Sequence, residues 1–136
     1  MSGVLVDSNI LLDVMTEDRR WAGWSSSALA HAAETAPLIV NAVIYAEISV
    51  RFSRIEDLEA ALPTTMFERE AIPFEAGFLA GKAFLSYRRK GGGKSAPLPD
   101  FFIGAHAAIA GHRLLTRDPR RYRTYFPRIE IISPDV

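Results

Sequence analysis

Short apolar runs and helix-like apolar spacings alternate along the chain. The runs GVLVD (residues 3–7) and PLIVN (residues 37–41) consist mostly of β-branched residues and leucine, as in strands that are buried on both faces of a parallel sheet. Weaker patterns of the same kind predict a third strand around residues 70–73, a fourth over residues 113–116 and a fifth over residues 128–133. The chain is therefore expected to form about five strands, the last of them at a sheet edge.

Between these runs, apolar residues recur at every third or fourth position, which is the spacing of one helix face. Asn41 is placed to cap the third helix and Gly111 to end the sixth. Strands that alternate with helices predict an α/β fold, here a three-layer α/β/α sandwich with a mainly parallel, about five-stranded sheet, formed by residues 1–136 as a single domain. Helices are expected over residues 8–15, 20–35, 42–52, 55–62, 75–90, 100–111 and 119–126.

The composition narrows the class of protein. The 136 residues are 49% hydrophobic, which is enough for one sizeable core, and they include no cysteine, so disulfides and thiolate metal ligands are excluded. No apolar run is long enough to span a bilayer, and the first residues lack the features of a secretory signal. We therefore expect a cytoplasmic protein with no membrane partner.

Charge is balanced over the whole chain but not along it. The net charge is zero, yet residues 82–94 carry five cationic residues and no acid, and residues 113–128 carry six arginines and one acid. Such segments are typical of a face that binds a polyanion, although charges on a solvated surface explain them equally well. The candidate phosphate contacts in these segments are Arg88, Arg89, Lys90, Lys94, Arg117, Arg120 and Arg121.

The first basic segment runs into RRKGGGKSAPLPD (residues 88–100), whose Gly-Lys-Ser resembles the end of a nucleotide-binding P-loop. A P-loop has a further glycine where this chain has Arg88, and it follows a strand where this chain has the pattern of a helix. We therefore interpret the segment as a link between two helices. It is either a mobile flap that meets substrate phosphates or a plain flexible connector.

Four acidic residues are expected at one edge of the sheet. Asp7 ends the first strand, Asp118 follows the fourth, Asp100 opens the helix that leads into the fourth, and Glu47 lies two turns into the helix after the second. In open parallel sheets, ligands bind beyond the carboxyl ends of the strands. Each aspartate alone is also explained as a helix N-cap, and Glu47 as the partner of an arginine.

Together, the four carboxylates repel one another unless a cation neutralises them. His31, His106 and His112 lie in or beside helix and strand patterns, and we interpret them as structural. A hard divalent cation such as Mg²⁺ or Mn²⁺ is the natural counter-charge, because its preferred ligands are oxygen atoms. The sequence therefore predicts a metal site that is able to activate water for attack at phosphorus.

With these features, the sequence resembles the PIN domain family, and within it the VapC-type toxins of bacterial toxin–antitoxin pairs. The resemblance covers nearly the whole chain. Its carriers are VLVDSNILLDV at residues 4–14, Glu47 within NAVIYAEI, LPDFFIGAHAAIAG at residues 98–111, and LLTRDPRRY at residues 114–122 followed by IEII. The ordered polar residues are Asp7, Asn9, Glu47, Asp100, Thr116 and Asp118.

The resemblance implies an endoribonuclease that depends on Mg²⁺ or Mn²⁺ and hydrolyses RNA phosphodiesters with a metal-activated water. It assigns the metal site to the four acids as catalytic ligands, and it gives Asn9 and Thr116 catalytic support roles in orienting carboxylates, water or phosphate. The basic residues named above would then contact RNA. The resemblance also implies a homodimer that is silenced by a cognate VapB-type antitoxin protein.

Other functions stay open alongside the toxin. A PIN fold also serves as a housekeeping RNA-processing nuclease, or as a non-catalytic module that binds RNA or protein. The binding module would be expected to lack one of the acids, and none is missing here. An aspartyl-phosphate phosphatase, whose first strand also ends in aspartate, would need a second aspartate where this chain has Asn9.

Overall fold

The sheet consists of short strands that all run in parallel. The computed structural model describes residues 2–92 and 98–134, and within them it contains β1 (Val4–Val6), β2 (Leu38–Val40), β3 (Phe67–Arg69), β4 (Arg113–Leu115) and β5 (Ile131–Ile132). Neighbouring strands pair in the order β3-β2-β1-β4-β5. The predicted parallel sheet of about five strands, with the fifth at an edge, is confirmed.

Seven helices lie within the described residues, and with the sheet they form the predicted α/β sandwich. They are α1 (Ser8–Met15), α2 (Ala22–Ala33), α3 (Ala42–Ser49), α4 (Ile55–Ala61), α5 (Phe74–Arg89), α6 (Leu98–Ala110) and α7 (Arg120–Tyr125). Asn41 caps α3 as predicted, because its Oδ1 accepts the Ile44 N–H at 2.9 Å. Gly111 follows α6 with a φ of 73°, a left-handed conformation that favours glycine at a helix end. None of these helices is long and apolar enough to cross a membrane.

The third strand lies earlier in the chain than the pattern indicated. β3 ends before the predicted residues 70–73 begin, so that prediction is wrong. The Glu70 N–H still donates to the Val40 carbonyl at 3.0 Å, but the chain then turns toward Pro73, the N-cap residue of α5. Proline has no N–H to donate to a ladder, so the pairing cannot continue through it.

Helix α6 also begins earlier than expected. It starts at Leu98, two residues before the predicted start, so Asp100 lies within its first turn and does not open the helix. Residues 93–97 of the glycine-rich link, including Lys94, lie outside the described residues. The choice between a flap and a connector therefore stays a prediction.

The hydrophobic core surrounds the central strand, every residue of which is fully buried. Helices α6 and α7 approach each other closely at Gly104, where a Cβ atom would lie 2.4 Å from the Phe126 ring and 3.1 Å from the Tyr122 ring. A side chain at this position would overlap α7, since real Cβ atoms do not come so close to a ring. The absence of a side chain therefore sets how near α7 lies to α6.

Candidate functional site

Asp7 lies at the carboxyl end of β1, beside the end of β4. Its N–H donates to the Leu115 carbonyl at 2.9 Å. Its Oδ1 accepts the Ser8 N–H at 2.8 Å, so Asp7 does cap α1. Its Oδ2 accepts the Thr116 hydroxyl at 2.8 Å, across a gap of 109 residues in sequence. The Asp7 side chain therefore caps α1 and also lies at the edge formed by the strand ends.

Tyr122 reaches the same carboxylate from α7. Its buried hydroxyl donates to Asp7 Oδ2 at 2.9 Å and lies 3.5 Å from Asp100 Oδ1. Tyr122 was not among the site residues predicted from the sequence, where residues 119–126 were interpreted only as a basic helical turn. The four-residue spacing of Tyr122 and Phe126 was an available signal, because a tyrosine on a buried helix face needs a polar partner for its hydroxyl.

Asp100 joins the site from the first turn of α6. Its Oδ2 accepts a hydrogen bond from Arg121 Nη1 at 2.7 Å, which also makes an ion pair. The Arg121 guanidinium lies 5.8 Å from the centre of the Tyr87 ring of α5. Arg121 of α7 therefore places positive charge beside Asp100, one of the four acids.

Glu47 is linked to Asp7 through Ser8. The Ser8 hydroxyl donates to Glu47 Oε1 at 2.8 Å, while the Ser8 N–H donates to Asp7 as described above. The packing of α1 against α3 makes this bridge possible. Glu47 is half-buried, and its partner is a hydroxyl rather than the arginine considered from the sequence.

Asn9 and Asp118 lie on either side of Thr116. Asn9 Nδ2 is 3.3 Å from Thr116 Oγ1 and 3.5 Å from Asp7 Oδ2. The Asp118 N–H donates to Thr116 Oγ1 at 3.1 Å, but the Asp118 side chain itself is exposed. Asp118 does not cap α7, whose N-cap residue is Pro119. The structure thus brings Asp7, Glu47 and Asp100 close together and leaves Asp118 at the solvent side of the group.

The carboxylates of this group are poorly stabilised as anions. Burial raises the pKa of Asp7 to about 6, and the charges of Asp100 and Glu47 add to the effect, against the hydrogen bonds from Thr116 and Tyr122. Burial also raises the pKa of Glu47 and of Asp100, the latter despite its contact with Arg121. Close acids with raised pKa values favour the binding of a cation, which would stabilise the charged forms.

The residues present fit a hard divalent cation. The available ligands are carboxylate oxygens, with hydroxyl and amide groups around them, and this donor set suits Mg²⁺ or Mn²⁺. Asp7 Oδ1 accepts one hydrogen bond in the described part of the chain, and a carboxylate oxygen accommodates about two partners. The site therefore has free acceptor capacity on its most buried acid.

Comparison with known protein families identifies the chain. The model of the PIN domain family matches residues 4–127, which is most of the sequence. The chain belongs to the PIN domain family. No curated protein sequence matches it.

Several solved structures share the fold of this PIN domain. A chain of VapBC2 from Rickettsia felis, bound to a promoter DNA fragment, has a TM-score of 0.73 at 16% identity, covering 97% of this chain and 98% of that one. A chain of VapBC-1 from nontypeable Haemophilus influenzae has a TM-score of 0.72 at 16% identity, covering 96% of each chain. A chain of DNA-bound VapBC from Salmonella typhimurium has a TM-score of 0.71 at 17% identity, covering 98% of each. At these identities the likeness shows the fold.

A second polar cluster lies elsewhere in the PIN domain. Glu70 Oε1 is 2.8 Å from His106 Nε2 and 2.7 Å from His112 Nε2. Within the described residues, this is the one set of three metal-ligating side chains whose ligand atoms all lie within 4.8 Å of one another. The four acids at the strand ends do not converge as closely.

The hydrogen bonds around this cluster oppose metal binding. Nδ1 of His112 faces the N–H of Gly3 at 2.9 Å, and Nδ1 of His106 faces the side-chain Nδ2 of Asn41 at 2.9 Å. Both partners are donors, so each Nδ1 carries the lone pair and each Nε2 carries the proton that is donated to Glu70. An Nε2 in this state has no lone pair for a metal. These contacts support a structural role for both histidines, whereas His31 is exposed.

Arg117, a candidate RNA contact, is held by an acid inside the PIN domain. Its Nε and Nη2 donate to the two carboxylate oxygens of buried Asp13 at 2.8 and 3.0 Å. The same carboxylate accepts the Ser25 hydroxyl at 2.8 Å, and the guanidinium lies 5.2 Å from the Trp21 ring. Arg117 therefore ties the loop after β4 to α1 and α2, and its contact with RNA stays a prediction.

The other basic candidates have different surroundings. Arg121 contacts Asp100, and Arg120 beside it is exposed. Arg88, Arg89 and Lys90 are exposed at the end of α5. The exposed side chains are accessible to a polyanion, and their contact with RNA stays a prediction.

Proposed function

We propose that this PIN domain is a metal-dependent endoribonuclease and the toxin of a VapBC-type toxin–antitoxin pair. The observation that carries the proposal is the meeting of Asp7, Glu47 and Asp100 at the carboxyl ends of β1 and β4, with the pKa of each raised mainly by burial. Asp118 would complete the set from the solvent side. A protein maintains such an unfavourable group of anions where a cation binds.

Asp7, Glu47, Asp100 and Asp118 would hold Mg²⁺ or Mn²⁺. When bound, the ion supplies positive charge that lowers the pKa of a water molecule and stabilises the charge that develops on a phosphodiester. The products expected from such hydrolysis have 5′-phosphate and 3′-hydroxyl ends. The ion would also stabilise the charged forms of Asp7, Glu47 and Asp100, whose pKa values are raised by burial and, to a smaller extent, by neighbouring carboxylates.

The surrounding residues would keep the carboxylates in position. Thr116 and Tyr122 donate to one oxygen of Asp7 and leave the other with a single N–H donor in the described part of the chain. Ser8 holds Glu47 in the same way. Asn9 bridges Thr116 and the Arg117 N–H. Such outer contacts fix ligand orientation, and removing one commonly costs ten- to a hundredfold in affinity or activity, roughly.

In this proposal, the protein binds RNA, an antitoxin and a second copy of its own chain. The exposed cations at the end of α5 and on α7 would meet RNA phosphates. The similar structures named above include VapBC complexes, which favours a VapB-type antitoxin as a partner. A homodimer and a cytoplasmic location complete the proposal, with residues 1–136 acting as one domain. A housekeeping RNA-processing nuclease would use the same chemistry without an antitoxin.

The proposal is tested with labelled single-stranded RNA and transfer RNA, in Mg²⁺ or Mn²⁺ and in EDTA. We expect cleavage in the presence of metal, no cleavage in EDTA, and a loss of about a hundredfold or more in Asp7→Asn. Asp57→Asn is the matched control, because Asp57 is exposed on α4 and the charge change is the same. Equal rates for Asp7→Asn and wild type would refute the assignment. A folded wild-type protein that cuts no RNA would favour the binding module.

A further inference from the structure

Arg121 provides positive charge at the group of acids. Its Nη1 lies 2.7 Å from Asp100 Oδ2, and both side chains are about two-thirds buried, with exposed fractions of 36% and 31%. Within residues 2–92 and 98–134, this is the one ion pair formed by any of the four acids. The guanidinium therefore neutralises part of the negative charge that a metal ion would otherwise neutralise.

The position of Arg121 is set by its neighbours on both sides. Tyr122, the next residue of α7, is anchored by its hydroxyl to Asp7 and lies within 3.5 Å of Asp100. The guanidinium itself lies against the Tyr87 ring at 5.8 Å. Because α7 is also packed tightly on α6 at Gly104, the contact between Arg121 and Asp100 is built into the packing of the two helices.

We propose that Arg121 is a built-in counter-cation that competes with the divalent metal for Asp100, so that release of the Arg121 side chain is part of metal loading. The inference rests on the proposed function, since it assumes that the acids bind a metal. Asp100 Oδ2 cannot give its full charge to an ion while it holds the guanidinium at 2.7 Å. Metal affinity in the wild-type protein is therefore lowered by the free energy of the ion pair that is lost.

The test is calorimetric titration of metal-free protein with Mn²⁺ and with Mg²⁺, without RNA. Arg121→Gln is expected to raise the association constant by roughly two- to fivefold, near the upper end of the range for surface ion pairs. Arg121→Lys keeps the charge and is expected to stay nearer to wild type. Arg120→Gln is the matched control, because it removes the same charge from the exposed neighbouring residue of α7 and changes only the long-range field.

The results separate this inference from the proposed function. The competition is supported if the association constant for the metal increases clearly more in Arg121→Gln than in Arg120→Gln. If the association constant rises equally in both variants, or falls in Arg121→Gln, the competition is overturned. The proposed function is unaffected in that case, because the wild-type protein still binds metal. Binding by Arg121→Gln alone supports a strong competition. Binding by none of the proteins overturns the inference and the metal dependence of the proposed function together.

A second measurement uses the wild-type protein and does not depend on how the variants fold. The side-chain Nη1 resonance of Arg121, whose N–H donates to Asp100, is followed by NMR during titration with Mg²⁺. It is assigned by its loss in Arg121→Lys or by sequential connectivity. Release from Asp100 is expected to shift this resonance and to increase its exchange with water as the metal binds. A resonance that is unchanged when the acids are saturated with metal would show that the guanidinium stays on Asp100.

Discussion

At the scale of single residues, donors crowd one oxygen of Asp7. Oδ2 faces the hydroxyl groups of Thr116 and Tyr122, whereas Oδ1 faces the Ser8 N–H. Even with these donors, burial raises the pKa of Asp7 from 3.8 to about 6. A carboxyl group whose pKa is higher in the folded than in the unfolded chain loses stabilising effect as the pH rises through this window. At neutral pH the ionised Asp7 therefore destabilises the metal-free fold, and a bound cation would reverse the effect.

Tyr122→Phe removes one of these donors and keeps the ring that packs against α6. We expect RNA cleavage to slow by roughly tenfold, mainly in kcat, because Asp7 Oδ2 loses a contact that orients it. The free energy of unfolding is expected to fall by about 1 kcal/mol, which is typical for one hydrogen bond. Steady-state cleavage kinetics and urea unfolding in EDTA measure the two effects.

Tyr45→Phe is the control for that variant. It also removes a single hydroxyl, one that donates to Glu59 Oε2 at 2.7 Å in the contact between α3 and α4. We expect normal cleavage, because Tyr45 makes no contact with the four acids. If both variants slowed cleavage equally, or if Tyr122→Phe cleaved at the wild-type rate, the orienting role of Tyr122 would be wrong.

The proximity of Asp7, Glu47 and Asp100 could be predicted from the sequence, because each stands at a place that a local pattern defines, such as the end of an apolar run. The contact of Tyr122 with Asp7 and the pairing of Arg117 with Asp13 could not. These contacts join residues 115 and 104 positions apart, and they exist only because the loop after β4 lies against α1 and α7 packs on α6. Side-chain partners of this kind follow from tertiary packing, which periodicity does not encode.

At the scale of secondary-structure elements, the site depends on how closely α7 packs on α6. The acid Asp100 belongs to α6, and both Arg121 and Tyr122 belong to α7. Their mutual distances are therefore fixed by the helix contact at Gly104. A change in that contact would move the arginine and the tyrosine together, away from the acids.

Gly104→Ala is expected to lower the free energy of unfolding by about 1–3 kcal/mol, because the added methyl group overlaps the Phe126 ring. Gly81→Ala is the control, since Gly81 lies within α5 with no atom within 4 Å of an added Cβ. There the same change is expected to stabilise the protein by about 0.5–1 kcal/mol through helix propensity. Thermal unfolding of both variants measures the difference, and similar midpoints would contradict the close contact.

The types of the elements could be predicted better than their ends. β3 was expected at residues 70–73 from its apolar content, but its position is set by pairing with β2, in which Phe67 lies opposite Leu38. β3 exposes Glu68 and Arg69, so its own sequence carries little of the apolar pattern of a strand. A strand end thus depends on the neighbouring strand, which the local sequence does not specify.

At the scale of the whole molecule, Glu70, His106 and His112 connect distant parts of the fold. Their hydrogen bonds join the segment after β3, the middle of α6 and the start of β4, and the Gly3 N–H adds the start of β1. Burial lowers the pKa of His106. Burial acts to raise the pKa of Glu70, but hydrogen bonds from His112 and His106 outweigh it and lower that pKa. These directions therefore favour a neutral His106 and an ionised Glu70 in the folded chain.

The lowered pKa of His106 makes the free energy of unfolding depend on pH. The unfolded chain binds a proton at His106 as the pH falls below about 6.5, while the folded chain resists it, so stability decreases toward acid pH. Comparing unfolding in EDTA at about pH 7.5 and about pH 5.5, we expect a smaller decrease in His106→Gln than in wild type. The opposite contributions of Asp7, Glu47 and Asp100 are the same in both proteins and cancel. If the free energy of unfolding decreased equally in the two proteins, a lowered pKa of His106 would be contradicted.

The ion pair between Arg121 and Asp100 has a consequence for the life of the protein in a cell. Because Arg121 places positive charge beside Asp100 within the fold itself, one of the four acids is partly neutralised before any ion binds. Under the proposed function, a newly synthesised molecule would then be expected to reach its final shape, and to meet an antitoxin, before any divalent cation arrives. Withdrawal of the ion would then leave a dormant molecule rather than a denatured one, ready to be reactivated when the ion returns.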